Sequence, residues 1–350
     1  MPHAPSAATD SRWQQVLGTI AGMLPAGVLW VVVDGGAEAP RMMADRLAAT
    51  LRVSGRPCAR LADAGWDQLD GRQRERRAED TVLLADGPGW RARRGWDVVI
   101  WLNSSPAVAG SDAGGIGEGR AGVDIVVDLG DPAWPVIRQV SPSLAGSGNW
   151  YISETRAFFG PRAATWDTKF GDDGPAYTAA VAEMGVPAGG TVLDVGSGTG
   201  RALPALRRAV GLRGSVIALD LTPEMIDQAR ALGRAAYAAF LIADARHLPL
   251  QAASADAVFA AGLITHLPDA ASGLQELARV TRPGGTLALF HPSGRAALAA
   301  RHGRTLAPDE PLAHRILRQS LRAAGWQLRH YDDAPHRFLA FATRHGHAKT

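Results

Sequence analysis

Short apolar runs alternate with amphipathic stretches along most of the chain, and this pattern is typical of α/β domains built on parallel sheets. In the first part, helical spacing of apolar residues predicts helices over Ser11 to Leu24 and about Pro40 to Arg52. Apolar runs predict strands in the same part over Gly27 to Val33, Pro57 to Leu61, Thr81 to Ala85, Trp96 to Leu102 and Val123 to Leu129. We therefore expect a parallel sheet covered on both faces by helices.

The pattern starts again near Thr191 and predicts a second sheet. Its strands are predicted over Thr191 to Val195, Ser215 to Leu219, Phe240 to Ala243, Asp256 to Ala260, Thr286 to Phe290, Trp326 to Tyr331 and Arg337 to Ala342. The Gly- and Ser-rich stretch Ser141 to Gly148 is the best linker candidate. We predict two doubly wound α/β domains, over 1–145 and 188–344, with a linker and cap helices over 146–187 and a tail over 345–350.

The turn after the first strand of the second sheet carries the most informative chemistry. It reads Asp194-Val-Gly196-Ser-Gly198-Thr-Gly200. Arg201 stands where a dinucleotide fingerprint beginning at Gly196 would need glycine, and no Gly-Lys-Ser/Thr follows for a phosphate loop. A carboxylate at this turn would repel a pyrophosphate but suits a ligand that carries an ammonium group.

On these residues the chain resembles the class I S-adenosylmethionine-dependent methyltransferases. Further segments in order extend the resemblance, among them Leu221 to Met225, Thr265-His266 and the turn from Arg279 to Gly285. The resemblance implies S-adenosylmethionine as cofactor, with Asp244 at the adenine amino group and the amide of Ala245 at a ring nitrogen. The cofactor-binding residues predicted in this way are Asp194, Gly196, Ser197, Gly198, Gly200, Asp220, Leu221, Asp244, Ala245 and Ala261.

Asp220 is also predicted from spacing alone. It ends the second strand of this sheet, 20 residues after Gly200. A doubly wound nucleotide site places a carboxylate for the ribose hydroxyls at about this distance.

The residues that would contact the molecule that accepts the methyl group are harder to predict. His266, beyond the fourth strand, is the best-placed candidate for a general base, although a histidine there can equally be a packing residue. Three polar residues follow the fifth strand: His291, Ser293 and Arg295. They could bind a polar or anionic acceptor, or merely cap a helix. Tyr151, Trp166 and Tyr177 lie in an aromatic-rich segment that predicts a lid over the cofactor or the core of a cap.

The first part resembles the uridine-kinase-like branch of the P-loop kinases. The resemblance rests mainly on Val31 to Gly35, Ser54 to Pro57 and Leu84 to Gly87. Its phosphate loop is broken, because Pro40, Arg41 and Met42 replace the second glycine, the lysine and the hydroxyl residue of G-x-x-x-x-G-K-[ST]. Proline has no amide proton to offer a phosphate, and methionine cannot bind Mg²⁺ as a hydroxyl does.

The lid that would supply arginines in such a kinase corresponds to Asn103 to Gly122, with Arg120 as its only cation. Phosphoryl transfer depends on positioned positive charge. We therefore predict a catalytically dead kinase-like domain kept as a scaffold or for partner contact.

Amino-acid composition and charge limit the classes of function that the chain can have. The chain has 350 residues, 46% of them hydrophobic and 20% charged, with a formal net charge of +3. No dense basic run with interleaved aromatics indicates nucleic-acid binding. No leader or membrane-spanning run is evident, so we expect a cytoplasmic protein without membrane contact. Cys58 is the single cysteine, and the sequence indicates no metal site. A homodimer is compatible with the sequence.

Three functions are open at this point. The leading one is a methyltransferase that transfers a methyl group from S-adenosylmethionine to a small-molecule acceptor. The second is a non-catalytic S-adenosylmethionine-binding regulatory or partner subunit. The third, a bifunctional enzyme that also phosphorylates a nucleoside, conflicts with Pro40, Arg41 and Met42.

Overall fold

A computed structural model describes residues 7–27, 29–36, 38–61, 80–92, 95–103, 122–146, 148–301, 306 and 308–346. The chain forms two compact units that divide between Glu154 and Thr155. The predicted lid loop between Asn103 and Gly122, with Arg120, lies outside the described residues except for its two ends.

The first unit contains a six-stranded sheet. Its strands are β1 (Leu29–Gly35), β2 (Cys58–Arg60), β3 (Val82–Asp86), β4 (Val98–Asn103), β5 (Ile125–Asp128) and β6 (Val136–Val140). Its helices are α1 (Ala7–Met23), α2 (Ala39–Val53) and α3 (Pro88–Arg91), and α4 (Asn149–Phe159) begins in it. The apolar stripe predicted for α1 is confirmed, because Trp13, Val16, Leu17 and Ile20 are buried.

The strand order is β2-β3-β1-β4-β5-β6, with β1 to β5 parallel as predicted. The expectation of an all-parallel sheet is wrong at one edge, because β6 pairs antiparallel with β5. Pro132 and Pro135 lie between β5 and β6, in the short connection where the chain reverses. A cluster of Trp30, Trp90 and their neighbours packs one face of this sheet.

The second unit contains a seven-stranded sheet. Its strands are β7 (Thr191–Val195), β8 (Ser215–Asp220), β9 (Ala239–Ile242), β10 (Ala255–Ala261), β11 (Thr281–His291), β12 (Trp326–Ala334) and β13 (Arg337–Arg344). Its α-helices are α5 (Trp166–Phe170), α6 (Gly174–Met184), α7 (Leu203–Val210), α8 (Pro223–Ala231), α9 (Ala270–Val280), α10 (Arg295–Arg301) and α11 (His314–Ala323). Short 3-10 helices cover Gly160–Thr165, Arg234–Ala236 and Ile264–His266.

The order β12-β13-β11-β10-β7-β8-β9 confirms the predicted seven-stranded sheet. All neighbours are parallel except β13, which is antiparallel to β11 and to β12. From β7 the chain proceeds to β8 on one side, whereas from β10 it proceeds to β11 on the other. This is a topological switch point, and ligands of doubly wound sheets bind in the crevice at the carboxyl ends of such strands.

No helix among the described residues is both long and apolar enough to cross a membrane. In the same part of the chain, no group of three or more His, Cys, Asp or Glu side chains is arranged to hold a metal ion.

Candidate functional site

The glycine turn after β7 lies at the switch point. Gly196, Gly198 and Gly200 have φ values of +72°, +53° and +84°, a region that favours glycine. A Cβ at Gly196 would lie 3.0 Å from Leu263, and one at Gly200 would lie 2.6 Å from Leu203. At Gly198 the nearest atom would be 4.0 Å away. Two of the glycines therefore allow close packing, while Gly198 leaves an open stretch of backbone for a ligand.

Two buried polar side-chain atoms at this turn have no hydrogen-bond partner among the described residues. Asp194 is 2% exposed, and its Oδ2 has no hydrogen-bond partner among the described residues. Ser197 Oγ is likewise buried and without a partner there. Burial, together with the nearby Asp220 carboxylate, raises the pKa of Asp194 to about 8. A carboxylate in this position would favour a cationic ligand group, because pairing with that group would offset the cost of burying the carboxylate charge.

Asp220, at the end of β8, forms hydrogen bonds with the glycine turn. Its Oδ2 accepts a hydrogen bond from Gly198 N at 2.7 Å, and its Oδ1 accepts one from Thr222 N at 2.8 Å. Burial raises the pKa of Asp220, although the amides of Thr222 and Gly198 act in the opposite direction. Each carboxylate oxygen retains a lone pair, so two adjacent hydroxyl donors can still be accepted.

Asp244 follows β9 and is engaged by its own neighbour. The Arg246 guanidinium donates to both carboxylate oxygens of Asp244, with Nη2 2.7 Å from Oδ2 and Nε 3.1 Å from Oδ1. Burial would raise the pKa of Asp244, but the hydrogen bonds from Arg246 outweigh it and hold that pKa below its ordinary value. The predicted contact with an adenine amino group would therefore be shared with Arg246. Ala245, beside it, is buried.

Polar contacts connect a cap segment around α5 to the glycine turn, and no local sequence pattern pairs the residues that form them. Asp167 accepts from Thr199 Oγ1 at 2.5 Å and from Arg234 Nη2 at 2.6 Å. Arg234 Nη1 also donates to the carbonyl of Thr199 at 2.7 Å. An ion pair between Arg201 and Asp173 adds a second connection.

The predicted aromatic lid residues lie in three different places. Trp166 packs edge-on against Phe159 in the cap, with ring centroids 5.5 Å apart. Tyr177 is buried in the core of the second unit against Phe290. Tyr151 belongs to the first compact unit, where it is buried. Trp166 therefore lies in the cap, whereas Tyr177 lies in the core, where its ring centroid is 5.5 Å from the guanidinium of Arg201, the residue that follows the turn.

His266 packs its ring against Phe159, with the centroids 5.2 Å apart. It ends the 3-10 helix after β10, whereas Thr265 before it lines a neighbouring pocket. His266 itself is not among the residues that line that pocket.

The pocket lies beside the glycine turn, at the carboxyl ends of β10 and β11. Its lining residues are Ala260, Gly262, Leu263, Ile264, Thr265, Leu289, Phe290, His291, Ser293, Arg295, Leu298, Leu312 and Phe338. Leu263 lies between the pocket and the turn, since it also packs against Gly196. Ala261, which ends β10, adjoins this lining. A ligand in the pocket would lie next to one held by the turn.

The polar wall of the pocket follows β11 and contains the predicted His291, Ser293 and Arg295. His291 Nδ1 lies 3.0 Å from Ser293 N and 2.9 Å from Ser293 O, so the backbone of Ser293 fixes the ring. Arg295 is held by three side chains, Tyr331, Asp333 and Glu310. None of these partners had been singled out in the sequence, where they stand 15 to 38 positions away from Arg295.

Part of the second unit is similar to known methyltransferases. Residues 193–289 match the family model described as a methyltransferase domain. Methyltransferase GfsG of Streptomyces halstedii is 37% identical over 108 residues, which cover 30% of this chain and 39% of that protein. O-methyltransferase resE of Aspergillus sclerotiorum is 30% identical over 162 residues, which cover 43% of this chain and 60% of that protein.

A crystal structure of an S-adenosylmethionine-dependent methyltransferase from Aquifex aeolicus matches with 24% identity and a TM-score of 0.42, over 55% of this chain and 98% of that one. The chain spans less than two thirds of the length of these two curated relatives. Residues 193–289, within the second unit, thus resemble a methyltransferase domain, in agreement with the predicted cofactor S-adenosylmethionine.

Proposed function

We propose that the protein is an enzyme that transfers the methyl group of S-adenosylmethionine to a small-molecule acceptor. The observation that carries the proposal is the buried Asp194, which stands two residues before Gly196 and whose Oδ2 has no hydrogen-bond partner among the described residues. The cofactor has an ammonium group to pair with Asp194 and a ribose diol to bind Asp220. The named relatives that are methyltransferases add support.

When bound, S-adenosylmethionine supplies an electrophilic methyl group: the acceptor atom forms a bond to the methyl carbon while the carbon–sulfur bond breaks, and its electron pair stays on sulfur. The contribution of the protein is to align the acceptor with that methyl group. The pocket beside Leu263 provides the place for the acceptor.

A base is needed only for an acceptor that must lose a proton, such as a hydroxyl or a protonated amine. His266 remains a hypothesis for this role, although its ring contacts Phe159 outside the pocket lining. His291 is a second candidate because it lines the pocket and its ring is fixed by Ser293. Nε2 is the basic nitrogen only in the tautomer in which Nδ1 donates to Ser293 O, and this tautomer gives up the hydrogen bond from Ser293 N to Nδ1.

For the first unit we propose a kinase-like scaffold without a working nucleotide site. Asp34, at the end of β1, lies 3.7 Å from the Arg91 guanidinium. Arg60 pairs with both Asp45 and Asp86 at the same edge of the sheet. A Cβ at Gly35 would lie 2.5 Å from the carbonyl of Leu102, so this glycine serves strand packing. These cations are engaged by carboxylates, which opposes phosphate binding.

Turnover separates an enzyme from a non-catalytic binding subunit. We would incubate the protein with S-adenosylmethionine and a panel of small alcohols, phenols, thiols and amines, and measure formation of S-adenosylhomocysteine. Product formation with at least one acceptor, lost in Asp194→Ala, is expected. A protein that binds the cofactor but releases no product across the panel would support the binding subunit instead.

A further inference from the structure

Thr222 stands directly before α8, at the position where a threonine usually caps a helix. A capping hydroxyl accepts a hydrogen bond from an amide in the first turn of the helix. The backbone of Thr222 has the extended conformation of a cap, with φ −101° and ψ 109°, but its side chain forms no capping hydrogen bond. The hydroxyl of Thr222 is therefore not used to stabilise the start of α8.

The same hydroxyl is deeply buried. Thr222 is 1% exposed, and its Oγ1 has no hydrogen-bond partner among the described residues. Burial of such a hydroxyl is unfavourable, because the group gives up its hydrogen bonds with water and gains none in return. Buried polar groups without partners are few in folded proteins, so each one requires an explanation. A role in helix capping does not provide it here.

Asp220 is the polar group that lies next to this hydroxyl. The amide of Thr222 donates to Asp220 Oδ1 at 2.8 Å, so the chain turns back toward the carboxylate within two residues. Gly198 N donates to Oδ2, the other carboxylate oxygen, at 2.7 Å. Burial raises the pKa of Asp220, whereas the amides of Thr222 and Gly198 and the hydroxyl of Thr222 oppose this rise. The hydroxyl thus favours the ionised form of Asp220.

Hydrogen-bond donors matter at Asp220 because no cation balances its charge. Asp220 forms no ion pair with any residue that the structure describes. Its charged neighbour is Asp194, whose pKa is raised by burial and by repulsion from Asp220. A carboxyl group can accept from both hydroxyls of a ribose only when it is ionised, because protonation turns one of its oxygens into a donor. Loss of one donor should therefore weaken the binding of a diol.

We propose that Thr222 is a positioning residue for the cofactor ribose: its hydroxyl donates to Asp220 and holds that carboxylate in place as the acceptor for both ribose hydroxyls. The proposal rests on the proposed function, because it concerns the ribose-binding carboxylate of the same site. Thr222 acts through Asp220 and is assigned no contact with the reacting atoms. The sequence Thr222-Pro223-Glu224 gave no signal of this role, because it is typical of an ordinary helix start.

The test uses two nucleosides that differ only in the diol, adenosine and 2′,3′-dideoxyadenosine. Neither carries the ammonium group of the cofactor, so pairing with Asp194 does not enter the comparison. Dissociation constants would be measured at neutral pH for the wild type and for variants at position 222. Thr222→Val and Thr222→Ala lack the hydroxyl, whereas Thr222→Ser keeps it. Wild type and valine form one pair of matched size, and serine and alanine form another.

Thr281→Val is the control variant. Thr281 is fully buried, as Thr222 is, but its hydroxyl donates to the carbonyl of Leu277 at 2.7 Å. It begins β11 and so lies at the amino end of that strand, whereas the glycine turn lies at the carboxyl ends of the strands. Loss of this hydroxyl removes a buried hydrogen bond without touching Asp220. Thermal unfolding would show that each variant is folded.

We expect the wild type to bind adenosine about tenfold or more tightly than the dideoxy nucleoside, because only adenosine donates two hydroxyls to a carboxylate. Thr222→Val and Thr222→Ala should lower this preference by about fivefold or more. Thr222→Ser should retain most of it, and Thr281→Val should leave it unchanged. Retention in serine together with loss in alanine separates the hydroxyl from the packing of the side chain.

Several results would overturn the proposal. One is a wild type that binds S-adenosylhomocysteine but shows no preference for adenosine. Another is a preference that is kept in Thr222→Val or Thr222→Ala, or an equal loss of affinity for both nucleosides in these variants. A third is a preference as low in Thr222→Ser as in Thr222→Ala. Failure of the wild type to bind S-adenosylhomocysteine would instead refute the proposed function.

Discussion

At the scale of single residues, the most consequential feature is a buried carboxylate that pairs with no cation among the described residues. Asp194 lies at the end of a central strand, and its pKa is raised to about 8 by burial and by Asp220. In the unfolded chain the same carboxyl would titrate near pH 4. The folded protein therefore binds a proton between these two pH values that the unfolded chain does not bind.

This difference predicts how stability depends on pH. The contribution of Asp194 to the free energy of unfolding is fully present below pH 4 and falls by about 1.4 kcal/mol per pH unit until the folded pKa is reached. Asp194→Asn removes this dependence. Urea unfolding of the apoprotein from pH 5 to pH 7.5 should show the wild type losing stability relative to the variant. Asp227→Asn, on the exposed face of α8, should follow the wild type. Parallel profiles for all three proteins would show that Asp194 is not protonated in the fold.

The same residue illustrates what the sequence could and could not reveal. Asp194, Gly196 and Gly198 were predicted because their spacing follows a strand, and the structure places them at the switch point. The roles of the three glycines differ, however, since contacts with Leu263 and Leu203 come from other elements. Spacing alone cannot tell a glycine that permits packing from one that leaves room for a ligand.

At the scale of elements, the cap is the part most directly linked to the turn. Asp167 on α5 joins Thr199 in the turn to Arg234 in the 3-10 helix after α8. These residues are 32 and 67 positions away from Asp167, so no local pattern could have paired them. The contacts hold α5 against the glycine turn.

Loss of this connection should speed product release. In Asp167→Asn one charge of the ion pair is removed while size is kept, and we expect S-adenosylhomocysteine to dissociate about three- to tenfold faster. Stopped-flow displacement would measure the rate. Asp172→Asn, an exposed neighbour in the same segment, is the matched control. Equal dissociation rates in all three proteins would mean that these contacts do not retain the ligand.

Strand ends were predicted to within one or two residues where a buried strand runs into a carboxylate: β1 ends at Gly35 against a predicted Val33, and β8 ends at Asp220 against a predicted Leu219. The edge strand β6 was missed because it is short, begins after prolines and contains Arg138 and Gln139. Its position is stabilised by tertiary contacts instead. Ile137 N donates to Glu154 Oε2 at 2.7 Å, and Glu154 forms a buried ion pair with Arg12.

At the scale of the whole molecule, both units are built on a mainly parallel sheet. They differ in the polar side chains at the carboxyl ends of the strands. In the first, Arg60 and Arg91 lie against carboxylates. In the second, Asp194 Oδ2 and Ser197 Oγ have no partners among the described residues. The presence of two sheets followed from periodicity. Whether the polar groups of each site already have partners depends on side-chain contacts between distant segments. A single sequence does not reveal those contacts.

Calorimetric titration with S-adenosylhomocysteine tests the central claim most directly. The proteins would be the wild type, Asp220→Asn and the surface control Asp227→Asn, with Mg-ATP titrated separately and thermal unfolding confirming that each variant is folded. We predict one binding site per chain, an affinity at least about tenfold weaker in Asp220→Asn but unchanged in Asp227→Asn, and no heat from Mg-ATP. Absence of binding in the wild type, or full affinity in Asp220→Asn, would contradict the account of the turn. Heat from Mg-ATP would contradict the account of the first unit.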